Sequence, residues 1–163
     1  IVGTTAQGQP IGAGRYSFFS LETGQWISNA DSNSTRWDLA FAGTILRVNN
    51  ATSGPGGGGA FVYNGTFESL TSVPTDSTFR VDNHPISYAI TRGSGKAWYT
   101  YDGPTNLLTP IPGRTLVIRT ANGQRAKVEI LNYYRGGTTP SASSADSIKT
   151  RDQRFFHFRY SKM

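Results

Sequence analysis

The sequence predicts an all-β protein of antiparallel sheets, a sandwich or an open barrel, with little helix. Three observations carry that expectation. Segments such as RAKVEILNYY (125–134) and RFFHFRYSKM (154–163) alternate with a period of two, which sends successive side chains to opposite faces of a strand. Asn-Gly dipeptides at Asn64-Gly65 and Asn122-Gly123 suit the positive φ angles of a tight type I′ hairpin. Nineteen glycines and eight prolines are spread along the 163 residues, which keeps helices short and favours many strands joined by turns.

The stretch around which the chain is organised is 37–61, WDLAFAGTILRVNNATSGPGGGGAF. Its first half, with Leu39, Phe41, Ile45 and Val48, reads as a buried strand rich in β-formers. Its second half has almost no side chains that pack. The four glycines Gly56 to Gly59 open φ angles closed to other residues, at a cost in folding entropy, so they suit a tight backbone path.

The remaining elements follow in order. Residues 1–14 are Gly-rich and linker-like, and Arg15–Leu21 forms a first hairpin with WISN through the turn ETGQ. AFVYNGTFESL (60–70) reads as a second hairpin about Asn64-Gly65. Thr71–Pro85, which carries His84, has two prolines and reads as an irregular surface connection. Ile86–Thr91 is expected to pair with Ala97–Tyr101 through a Gly-Ser-Gly turn, and Asp102–Gly113 to be a long loop with two exposed leucines. RTLVIRT and RAKVEILNYY form the clearest hairpin, about Asn122-Gly123. Arg135–Gln153 reads as a mobile excursion with a helical turn around Ala142–Ile148. The last strand places Phe156, Phe158 and Tyr160 on one face and Phe155, His157 and Arg159 on the other.

Composition narrows the functional classes. With 36% hydrophobic and 12% aromatic residues, the chain supplies one core, so residues 1–163 read as a single domain. The absence of cysteine excludes disulfides, thiolate metal sites and a cysteine nucleophile. No apolar run reaches the ~18 residues of a spanning helix, and a start at Ile1 reads as a processed or trimmed chain. The net charge of +6 is uneven: residues 1–79 hold three arginines against five acids, and residues 80–163 hold thirteen basic residues against five acids. Dispersed cations argue against a nucleic-acid interface despite a pI near 9.8. No G-x-S-x-G elbow, HExxH pair or P-loop lysine is present, and two distant histidines do not make a triad, so the chain is not expected to be an enzyme.

FSLETGQ, WDLAFAGTILRVNNATSGPGGGGA, WYTYDG, VIRTANGQRAKVEILNYY and the closing FHFRY, taken in that order, resemble the HmuY-like haem-binding proteins, surface lipoproteins and haemophores of Gram-negative bacteria. The resemblance runs from about Tyr16 to Tyr160. It implies an all-β domain outside the outer membrane, anchored through a lipidated N-terminal cysteine beyond this sequence. It also implies capture of haem for transfer to an outer-membrane haem receptor. Haem requires an apolar, aromatic cleft and axial ligands such as imidazole or thioether, which the family supplies in pairs from two loops. On that pattern His84 is the candidate iron ligand. Trp98 and Tyr101 are candidates to line the ring, with Tyr99 beside them. Arg92 and Arg114, with Lys96, are candidates to meet the propionates. The expected second-ligand loop, Asp102–Gly113, has neither His nor Met, and His157 and the terminal Met163 lie elsewhere in the chain. The resemblance implies haem, or another tetrapyrrole, as the guest. The alternative is a surface adhesion or glycan-binding β module, since exposed Trp and Tyr also stack on sugars.

Overall fold

The computed structural model describes residues 3–4, 10–11 and 15–163. Within the linker-like segment, β1 (Gly3–Thr4) and β2 (Pro10–Ile11) pair antiparallel; the rest of residues 1–14 lies outside the described residues. The next four strands are β3 (Ser17–Ser20), β4 (Gln25–Ile27), β5 (Leu39–Ala42) and β6 (Ile45–Val48). They are followed by β7 (Gly59–Asn64), β8 (Tyr99–Asp102), β9 (Leu107–Pro110), β10 (Arg114–Arg119) and β11 (Arg125–Tyr134). A short helix, α1 (Asp146–Asp152), leads into β12 (Gln153–Lys162).

Two four-stranded antiparallel sheets, ordered β4-β3-β5-β6 and β12-β11-β10-β7, form the body, and β8-β9 is a separate two-stranded ribbon. Phe19, Leu39, Phe41, Leu46 and Val48 from the first sheet share one core with Leu116, Ile118, Val128 and Ile130 from the second. This is the sandwich form of the expected all-β class, without barrel closure. Phe156, Phe158 and Tyr160 pack inward from β12 as alternation requires. β12 is the outer strand of its sheet among the described residues, and its other face carries Arg159, paired with Glu129 at 2.5 Å and with Glu68 at 2.6 Å.

Several elements differ from expectation for identifiable reasons. The first half of the organising stretch is two strands rather than one, because Gly43, at φ 57°, turns Ala42 back against Ile45. Asn64-Gly65 makes no hairpin. β7 pairs instead along its full length with the distant β10, from Gly59↔Arg119 to Asn64↔Arg114, and the Thr115 hydroxyl takes the Gly65 carbonyl. Tertiary pairing overrides the local turn signal. Ile86–Thr91 is not a strand, since the Asp82 carboxylate captures the Ala89 amide that a ladder would use. Tyr99–Asp102 pairs instead with Leu107–Pro110, so the expected loop contains a strand, and Leu108 is buried. The excursion after β11 is anchored: the Lys149 ammonium, itself buried, donates to the Thr105 and Ala142 carbonyls, and the helix starts later than expected.

The glycine loop wraps Asn49, which is fully buried. Its amide nitrogen donates to the Ser34 and Trp37 carbonyls, its Oδ1 accepts from the Gly56 N–H, and its backbone carbonyl accepts from the Gly58 N–H. A Cβ at Gly58 would stand 2.8 Å from the Asn49 carbonyl oxygen, whereas one at Gly57 would make an ordinary 3.4 Å contact. Chemical denaturation is expected to show Gly58→Ala destabilised by about 1–3 kcal/mol and Gly57→Ala by clearly less. Equal losses would mean that the loop yields freely.

A second buried polar group, the Asp38 carboxylate, ties the two sheets at one end. It accepts from the Leu21 N–H at 2.7 Å in the β3–β4 turn and from the Ala121 N–H at 2.8 Å in the β10–β11 turn. Burial raises its pKa above the usual aspartate value, and the two backbone donors work in the opposite direction. A raised folded pKa gives a stabilising contribution that is complete below the unfolded value and lost as pH rises through the folded one. The stability margin of wild type over Asp38→Asn is therefore expected to shrink from pH ~3 to ~6 in urea titrations. Asp38→Ala, which orphans two buried N–H groups, should cost roughly 2–5 kcal/mol.

Candidate ligand-binding cleft

At the opposite end of β12 from its C-terminus, the two sheets part and leave an open cleft of about 490 Å³ between β4, β3 and β5 on one side and the start of β12 on the other. Its walls are aromatic. Phe41 and Phe156 meet at 4.9 Å between ring centres, Trp26 stands 5.9 Å from Phe41, and Phe155 lines the same cleft. Trp26 is 57% exposed and Phe155 40%, unusually wet for rings of that size in a protein whose other tryptophans are buried. Arg15 and Arg154 line the same opening.

Local backbone geometry explains how Arg154 comes to be there. It takes φ 74°, the left-handed region that arginine disfavours, at the irregular register where β12 leaves its pairing with Tyr134. Behind Phe156 lies Tyr133, whose hydroxyl burial pushes to a pKa well above that of an ordinary phenol, while the neighbouring Arg154 guanidinium acts in the opposite direction. The cleft thus combines an aromatic lining with two permanent cations, suited to an aromatic guest bearing carboxylates.

The sequence-derived candidates fall into two groups. His84 and Arg92 meet at Tyr88: the imidazole stacks 6.3 Å from that ring, and the Arg92 guanidinium lies 4.9 Å over it. His84 is tied to the glycine loop, with its N–H on the Thr52 hydroxyl and Nε2 2.7 Å from the Thr52 carbonyl, where it donates. Trp98, Tyr101 and Arg114 belong to the β8–β9 ribbon and its flanks. Trp98 is core, 3% exposed, with its indole N–H on the Thr44 carbonyl and its ring against Phe156 from behind. Tyr101 is exposed and donates to Asn106, and Arg114 donates to the Ala97 carbonyl. Among the described residues, no ring contact or hydrogen bond joins the two groups. None of the five lines the cleft.

A model of the protein family described as HmuY protein matches residues 14–144, most of the chain. The chain belongs to the HmuY family. Solved structures of the same fold include the apo form of a HmuY analogue from Tannerella forsythia, 14% identical, with a TM-score of 0.59 over 91% of this chain and 88% of that one. A candidate lipoprotein from Bacteroides fragilis is 17% identical, with a TM-score of 0.55 over 89% and 80% of the two chains. A candidate HmuY-like heme-binding protein from Bacteroides vulgatus is 14% identical, with a TM-score of 0.55 over 90% and 84%. At these identities the likeness is one of fold. Comparison with curated proteins finds no significant match.

Membership of a HmuY-type, haem-binding family makes the fit of a haem the test for the cleft. The aromatic walls and the two guanidinium groups suit the ring and its carboxylates. The iron is less well served. His157 borders the cleft, yet it shares the outer face of β12 with Arg159, and its Nδ1 faces Gly137. No cluster of three or more His, Cys, Asp or Glu capable of holding a metal occurs among the described residues. Sequence reading missed Trp26, Phe41 and Arg154. The alternation of RFFHFRY, which turns Phe156 inward beside an arginine, was the one signal available for them.

Proposed function

We propose that this HmuY-family chain captures haem or another tetrapyrrole outside the cell, holding it non-enzymatically in the cleft between β4 and the start of β12. The observation that carries this reading is the pairing of exposed Trp26 and Phe155 with Arg15 and Arg154 around one open slot. Ring burial against aromatic walls supplies affinity, and guanidinium–carboxylate pairing sets orientation. An extracellular station, a lipid anchor and hand-over to an outer-membrane haem receptor complete the proposal by analogy with the family.

Titration with ferric haem, followed by the Soret band and tryptophan fluorescence, is expected to give saturable binding that Trp26→Ala weakens about tenfold or more. Arg154→Gly separates function from folding. It removes the left-handed strain, so stability is held or raised by about 1 kcal/mol, while affinity drops. Binding unaffected by both changes would place the guest elsewhere. A second reading, an adhesion or glycan-binding module, rests on the same exposed Trp26. Retained binding of a neutral oligosaccharide in Arg154→Gly, with no haem binding in wild type, would favour it.

A further inference from the structure

The histidine, methionine and cysteine donors available to a metal in this chain are few, and of these only His157 borders the cleft. There are two histidines, one methionine and no cysteine. His84 stands against the glycine loop with Nε2 on the Thr52 carbonyl, among none of the cleft-lining residues. His157 borders the cleft, but its imidazole lies against Gly137 on the face of β12 opposite to Phe156 and Phe158, which pack against the core. Met163 ends the chain beyond the far end of β12, its N–H on the Arg125 carbonyl. Six strand residues lie between it and Phe156, a span on the order of 23 Å. The Tyr133 phenol behind Phe156 is buried, and that burial raises its pKa above the ordinary phenol value.

From this disposition we infer that the cleft grips a tetrapyrrole by its ring and carboxylates alone, with no side chain of this chain bonded to a central metal. The inference rests on the function proposed above and deepens it: the ligand class is the dicarboxylate macrocycle, metallated or not. Selection then comes from flatness and charge. A metal-free porphyrin satisfies both requirements as fully as haem does, because the aromatic walls contact the ring face and Arg15 and Arg154 meet its carboxylates.

Parallel titrations of the full chain with ferric haem and with protoporphyrin IX test it, read by tryptophan quenching, with electron paramagnetic resonance of the haem complex. The two affinities are expected to agree within about threefold, and Arg154→Gly should weaken both alike. The haem spectrum should lack the low-spin signature of nitrogen or thioether ligation and be unchanged in His84→Ala and His157→Ala. Haem bound more than about tenfold tighter than the metal-free ring, or a low-spin signal that either histidine variant abolishes, overturns the inference while leaving tetrapyrrole capture standing. Failure of both rings to bind overturns the capture reading, and this inference with it.

Discussion

Asn49 is the residue on which the chain's path depends. A buried amide is tolerated only when its donors and acceptor are satisfied, and here both N–H groups and the side-chain oxygen find backbone partners. Those partners are the carbonyls before β5 and the glycine loop that leads from the first sheet to the second. Because Gly54, Gly56 and Gly58 pass so close to Asn49, the loop has no room for side chains there. Without it, β7 would not reach β10, and the two sheets would not face each other in this register.

Two carboxylates extend the same logic. Asp38 joins the turns at one end of the sandwich, and Asp82 gathers the Val48 and Ala89 amides and the Ser53 hydroxyl, pinning the 81–90 segment beside the glycine loop. With one end clamped by Asp38, the open seam lies toward the start of β12. The cleft lies at that seam, and its aromatic lining is continuous with the core through Phe41 and Phe156.

Much of this was legible in the residues, for physical reasons that differ by element. The β10–β11 hairpin and the inward face of β12 were readable because local turn chemistry, with Gly123 at φ 89°, and side-chain alternation agree with the tertiary answer. Asn64-Gly65 misled because a local turn preference of small size competes with a six-residue ladder to β10. The ribbon of Tyr99–Asp102 with Leu107–Pro110 was hidden by prolines that sit at the strand's end and just outside it. The site was less legible than the fold. His84, Trp98 and Tyr101 attract notice by residue type, but no sequence pattern reveals that Thr52 takes the imidazole or that Trp98 is walled in by Tyr133 and Phe156. Trp26 and Arg154 are far apart in the chain, and the left-handed backbone that turns Arg154 toward the cleft carries no glycine to announce it.

The outer position of β12 has a consequence for life at high density. A ten-residue edge with unpaired amides is a template for strand addition by a neighbouring molecule. On β12 the register slips near its start and the charge contributed by Arg154 and Lys162 both work against such addition. Copies crowded side by side would repel rather than zip into fibrils, and each would keep its own aromatic mouth unobstructed.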